Sequence, residues 1–230
     1  MFFRLGRTSG LLSTAEFLSL CGFSICPFHQ RLGAPVLKHL LLFASGEGTT
    51  VQAVLDAVAS GVLQQCHVDA VITNRDDAGV IPRASRAGVP VFVVPADQED
   101  EFSVRLSDIL DRFEPDLILL AGFLRKIPVS IVERFHGRMI NTHPSLLPKY
   151  GGRGWYGDRI HRMVLENGDT ESGCTIHYVN EEYDSGDIII QKKVPVHPED
   201  TESSLAERVK QEEKRILIQT LQNLLLPETS

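Results

Sequence analysis

The chain has 230 residues, 43% apolar and 23% charged, with a net charge of −7. That length suits one globular domain with a sizeable core, and the composition excludes disordered, collagenous and disulfide-scaffold classes. Residues 1–38 carry Arg4, Arg7, Arg31 and Lys38 against Glu16 alone, a net +3, so the remainder carries −10; an acidic body argues against a nucleic-acid partner, whose affinity rests on Lys and Arg.

Residues 1–37 are rich in Ser, Leu, Phe and Arg, nearly free of acid, and without strand or helix period. They read as an N-terminal extension: a dispensable segment or misassigned start, or a transit peptide for a plastid or mitochondrion. A secretory signal over residues 11–26 fits less well. Ser13, Glu16 and Ser19 break the best apolar run below the roughly 18 residues of a membrane span, so no membrane partner is expected.

From His39 the pattern becomes regular. HLLLFAS is an apolar strand ending in a Gly-rich turn, and Val51, Val54, Leu55 and Val58 give the next segment helical spacing up to Gly61. HVDAVIT and VPVFVVP read as strands on either side of a short helix expected to open at Pro82. Residues 99–113 are an amphipathic helix, PDLILLAGF a strand apolar enough for burial on both faces, and MINTH a further strand end. After a Pro/Gly-rich loop come a helix at 158–167, the strands CTIHYV and DIIIQKKVPV, and a long helix over 205–225. Alternating strands and helices predict an α/β fold: a Rossmann-like, mostly parallel sheet with helices on both faces and an antiparallel C-terminal edge. Residues 38–230 form its single domain.

Cys21, Cys26, Cys66 and Cys174 form no C-x-x-C pair, which favours free buried thiols over a zinc site. Three segments could carry chemistry. Ser45-Gly46-Glu47-Gly48-Thr49-Thr50 joins the first strand to the first helix, where glycines and helix N–H groups can hold an anion. Val51 stands where a dinucleotide fingerprint has its third glycine, and the P-loop Lys is missing, so turn and phosphate site both remain open. Asn141 and His143 alternate at a strand end, the usual ligand side of such sheets, and point the same way. Tyr183-Asp184-Ser185-Gly186-Asp187 is turn vocabulary unless it reaches His143.

Together with NRDDAG, PDLILLAGFLRKIP, MINTHPSLLPKY, VLENGD, GCTIHYVNEEYDSGDIIIQKKVPV and ERVKQEEKRI, these segments resemble the phosphoribosylglycinamide formyltransferases, collinearly from about Leu40 to Leu225. The resemblance implies the formyltransferase fold, with residues 38–230 as the catalytic domain, and formyl transfer from 10-formyltetrahydrofolate to 5-phosphoribosylglycinamide in purine (IMP) biosynthesis. It implies Asn141, His143 and Asp184 as catalytic residues. Gly48, Thr49, Thr50 and Glu213 would bind the ribonucleotide. Leu120, Leu124, Arg125, Lys126, Ile127, Asn141, Asn180, Glu181, Glu182, Tyr183 and Asp184 would bind the folate. Its expected partners are these two small molecules, with no metal, in a cytoplasmic monomer or homodimer. A hydrolase relative would instead pass the formyl group to water. The chain departs from the resemblance at Glu47, which places a carboxylate in the phosphate loop, at Thr50 in place of a common Asn, at Lys126 in place of an apolar residue, at the acidic Gln98-Glu99-Asp100, and in the long loop GGRGWYG at 151–157.

Overall fold

The computed structural model describes residues 2–3, 37–95 and 98–226. In chain order it contains β1 (Phe2–Phe3), β2 (Lys38–Phe43), α1 (Thr49–Ala59), β3 (Cys66–Thr73), α2 (Val80–Arg86), β4 (Val91–Val93), α3 (Glu99–Phe113) and β5 (Leu117–Ala121). Then follow α4 (Val129–Arg134), β6 (Met139–His143), α5 (Asp158–Glu166), β7 (Glu171–Tyr178), β8 (Ile188–Pro195) and α6 (Glu202–Leu224). The strands form one sheet in the order β1-β4-β3-β2-β5-β6-β7-β8. Pairing is parallel from β1 to β6, and antiparallel for β6 with β7 and β7 with β8. This is the expected mostly parallel sheet with an antiparallel edge.

Burial on both faces explains the uninterrupted apolar strands. Leu40 and Leu42 join the side chains of α1, α2, α5 and α6, whereas Leu41 and Phe43 join those of α3 and α4. Each fully buried Leu, Val or Phe contributes about 1.5–3 kcal/mol relative to exposure. The amphipathic α3 spans the predicted residues and buries Phe102, Leu106 and Leu110. α6 is capped by Thr201, whose side chain accepts from the Ser204 N–H while Ser204 Oγ accepts from the Thr201 N–H, a reciprocal cap that fixes the helix entry.

Three expectations need adjusting. α2 starts at Val80, ahead of Pro82, because the preceding turn already places Gly79 in helical geometry. β4 keeps only Val91–Val93 of the predicted VPVFVVP. α4 was not anticipated: six residues after Pro128 are too short to show periodicity. Of residues 1–37, only Phe2, Phe3 and Leu37 are described; Phe2 and Phe3 pair with Val91 and Phe92. Cys21, Cys26 and the rest of the extension's readings lie outside the described residues.

Burial pushes the Cys66 thiol up to about 11 and, with the Glu213 charge added, the Cys174 thiol up to about 12. Both are therefore inert thiols, as the spacing suggested. Among the described residues, no helix is long and apolar enough to cross a membrane.

Candidate active site

Strand order reverses between β2 and β5, and the loops leaving their C-terminal ends diverge there to open a cleft. Ser45 fastens the loops that follow β2, β3 and β5 together. Its Oγ donates to Asn74 Oδ1 at 2.6 Å and accepts from the Leu124 N–H at 2.9 Å, and its own N–H donates to the Gly122 carbonyl at 3.0 Å. The cleft has a volume of about 680 Å³, enough for a substantial ligand.

One end of the cleft is the loop 46–50. Gly48 takes a φ of +69°, and a Cβ there would lie 2.5 Å from Val80 Cγ2, so the tight turn into α1 requires glycine. α1 follows with no acidic side chain in its first turn, leaving its N-terminal N–H groups free to favour an anion. Glu47 is exposed; its carbonyl accepts from Arg83 Nε at 2.7 Å, and its carboxylate lies against Gly79. Thr50 Oγ1 donates to Glu213 Oε1 at 3.0 Å. Burial raises the Glu213 pKa above the ordinary carboxylate value, against the opposing pull of the Thr50 and Thr142 hydroxyls and of Lys210 and Lys214.

At the centre, Asn141 and His143 point to the same side of β6, as their alternation predicts, and Thr142 faces Glu213 on the other. The turn carrying Asp184 closes over them. Asp184 Oδ1 lies 3.4 Å from His143 Nδ1 and 3.3 Å from Asn141 Nδ2, while Oδ2 accepts from the Gly152 N–H at 2.9 Å. His143 Nε2 is 2.8 Å from the Tyr150 carbonyl, which can only accept, so that nitrogen carries the proton. By the same logic His177 Nδ1–H donates to the Tyr178 carbonyl at 2.8 Å, while His177 Nε2 lies 3.1 Å from Asn141 Nδ2 and 3.7 Å from Asp184 Oδ1.

Burial dominates the ionisation of His143. It drives the pKa below the ordinary histidine value, although the Asp184 charge and the Tyr150 carbonyl pull upward and His177 adds a further downward push. The Asp184 charge thus favours the imidazolium and is outweighed by burial. For Asp184 itself, burial opposes the charge, but the His177 and His143 rings and the Gly152 N–H outweigh it and hold the carboxyl below its usual range.

The other end is bordered by residues 122–127 and 179–184. Leu120, Leu124, Arg125, Lys126, Ile127, Asn180, Glu182 and Tyr183 all line it, as the resemblance implies; Glu181 does not. Lys126 Nζ stands 5.7 Å from the Tyr183 ring centroid and bridges the two segments. Arg153, Trp155 and Tyr156 of the long loop also line the cleft. Sequence reasoning missed His177, His161 and Lys210. His177 is identified only by the register that places it opposite Asn141. His161 is buried on α5 with Nδ1 unpartnered and its pKa lowered by burial. Among the described residues, no group of three or more His, Cys, Asp or Glu side chains is placed to hold a metal ion.

The geometry can be set beside known proteins. The profile described as "Formyl transferase" matches residues 38–221. The chain belongs to the formyl transferase family. Its relatives include the Escherichia coli phosphoribosylglycinamide formyltransferase, 37% identical over 77% of this chain and 82% of that protein. The Arabidopsis thaliana protein named phosphoribosylglycinamide formyltransferase, chloroplastic, is 40% identical over 81% of this chain. The chain spans 61% and 65% of the length of two plant relatives it matches. The crystal structure of glycinamide ribonucleotide transformylase 1 from Geobacillus kaustophilus matches with a TM-score of 0.75 at 35% identity, covering 83% of this chain and 100% of that one. The formyl transferase fold expected from the sequence is therefore present, and the His143–Asp184 contact joins two segments 41 residues apart in this family member.

Proposed function

We propose that this chain transfers the formyl group of 10-formyltetrahydrofolate to the amine of 5-phosphoribosylglycinamide, a step of purine biosynthesis. The convergence of Asn141, His143 and Asp184 midway between the 46–50 loop and the 122–127 segment carries this reading. The ribonucleotide phosphate sits on the N–H groups of Gly48, Thr49 and Thr50, with Glu213 near its sugar. The folate lies along Leu120, Leu124, Arg125, Lys126 and Ile127, beneath residues 180–184.

In the reaction the substrate amine attacks the formyl carbon, the C=O π pair moves onto oxygen, and a tetrahedral intermediate forms. Asn141 Nδ2 and the protonated His143 ring are the donors that meet this growing negative charge. Asp184 favours the imidazolium and positions a water that relays the proton from the attacking nitrogen to the leaving folate nitrogen. Collapse breaks the bond between the formyl carbon and the folate; the products are the formylated ribonucleotide and tetrahydrofolate. No enzyme-bound covalent intermediate is needed.

The protein is taken to work as a monomer or homodimer. Its compartment is the cytoplasm or, with residues 1–37 as a transit segment, a plastid or mitochondrion; imaging a reporter fused to residues 1–37 decides between them. The activity is tested by following deformylated folate with and without the ribonucleotide. A ribonucleotide-dependent rate that falls by about 100-fold or more in a folded His143→Ala variant is expected. A rate independent of the ribonucleotide would instead identify a hydrolase.

A further inference from the structure

HPSLLPKY ends in Tyr150, to which the formyl-transfer reading gives no role. Its backbone has a φ of +56°, a region that a residue with a bulky ring rarely adopts. Several contacts hold it there. Its hydroxyl donates to Asp169 Oδ2 at 2.8 Å and accepts from Asn167 Nδ2 at 2.8 Å, just beyond the end of α5. Asp169 is itself paired with Lys149 Nζ at 2.7 Å. The Tyr150 ring meets Trp155 edge-on, with centroids 5.4 Å apart. The next residue, Gly151, runs so close to Leu147 that a Cβ would lie 2.5 Å from Leu147 Cδ2.

The backbone of this turn serves both partners at the centre of the cleft. The Tyr150 carbonyl accepts from His143 Nε2 at 2.8 Å, and two residues on the Gly152 N–H donates to Asp184 Oδ2 at 2.9 Å. His143 Nδ1 is thereby aimed at Asp184 Oδ1. We propose that residues 150–152 are the positioning device of the His143–Asp184 pair and that the Tyr150 hydroxyl on Asp169 is its anchor. Neither Tyr150 nor Asp169 lines the cleft, so both act through the pair and not on substrate. The ionisable groups facing His143 are Asp184 from the closing turn and His177 from β7; the Tyr150 carbonyl is the neutral acceptor that completes its surroundings.

The inference rests on the formyl-transfer reading for its kinetic arm alone. The full-length chain is compared with Tyr150→Phe, Asp169→Ala, Asp169→Asn and the double variant Tyr150→Phe/Asp169→Ala, each confirmed folded by circular dichroism. The His143 titration is followed by NMR without substrate, and kcat and KM are measured for formyl transfer. Tyr150→Phe and Asp169→Ala should each lower kcat about tenfold, with both KM values held within about twofold. The midpoint of the His143 titration should fall in both, because a loosened turn withdraws its acceptor. The double variant should be no worse than either single one, and Asp169→Asn, which keeps an acceptor for the hydroxyl, should recover most of the rate. Unchanged kcat, a rise in KM alone, an unshifted titration, or additive losses in the double variant would each overturn the proposal. An inactive wild-type chain would refute formyl transfer and leave the titration to decide the role of the turn.

Discussion

Replacing Asp184 by Asn removes one charge at nearly constant size, from a carboxylate 10% exposed and 3.4 Å from the His143 ring. A carboxylate this close and this buried favours the imidazolium and pulls the His143 titration upward against burial. Burial already holds His143 below the ordinary histidine value, and Asp184 is the largest opposing influence. Removing it lowers the titration further, so the protonated fraction falls at neutral pH, and activity that depends on the imidazolium is lost at a lower pH than in wild type. The variant also changes acid stability. Because the Asp184 carboxyl is held below its usual value, it stabilises the fold above the unfolded pKa, about 3.9, and that contribution disappears as pH falls through the lower folded value. Asp184→Asn should lack this acid-dependent stabilisation. NMR titration of His143, the pH dependence of turnover and the pH dependence of Tm report the three effects. An unshifted His143 titration with unchanged turnover would refute the reasoning and reduce Asp184 to a turn residue.

Ser45→Ala removes a donor to Asn74 and an acceptor for the Leu124 N–H, and should cost about 1–3 kcal/mol, read as a lower urea midpoint, with the folate KM rising more than the ribonucleotide KM. On the proposed function, Glu47→Asn should tighten ribonucleotide binding about two- to fivefold at low salt, and less at high salt, because it removes an exposed carboxylate from the 46–50 loop; calorimetric titration showing weaker binding would mean that Glu47 contacts the substrate. Among the described residues, deleting 1–37 takes away the two-residue edge strand β1 and none of the buried core, so Tm should stay within about 2 °C of the full chain; insoluble protein would place the extension in the core.

The legible parts of the fold were those with an uninterrupted local pattern. PDLILLAGF reads as a strand suited to burial on both faces, and Leu117–Ala121 of it form β5, while the amphipathic helix expected at 99–113 is α3. α4 escaped because six residues hold less than two helical turns. In the site, alternation at 141–143 already set Asn141 and His143 on one side. That Asp184 belongs beside them is implied only by the family resemblance, since its own neighbourhood reads as a turn. No local signal could reveal His177: it enters the site through an antiparallel register that pairs it with Asn141 across 36 residues. Tyr150 was similarly hidden, because its contribution is a carbonyl and not a side chain. The net direction of the His143 shift required its burial as well as its partner.

Glu213 extends the same competition between burial and partners to the 46–50 end of the cleft. It is buried on α6, with the Thr50 hydroxyl 3.0 Å from its carboxyl. The hydroxyls of Thr50 and Thr142 and the charges of Lys210 and Lys214 favour its ionised form, yet burial wins and raises its pKa. A raised carboxyl contributes stability that is complete below the unfolded pKa, about 4.3, and is lost as pH rises through the folded value. A phosphate arriving on the 46–50 loop adds negative charge nearby, and raises the Glu213 value further. Ribonucleotide binding should therefore take up protons in the window where Glu213 is partly ionised. Glu213→Gln keeps an acceptor for Thr50 without a titrating group; it should flatten the decline of Tm above the unfolded pKa and abolish this proton uptake. Calorimetry in buffers of different ionisation enthalpy measures the uptake, and thermal melts across the pH range measure the slope. Equal uptake and equal slope in the variant would show that Glu213 does not titrate with the ligand, and would leave it as a neutral hydrogen-bonding support for Thr50.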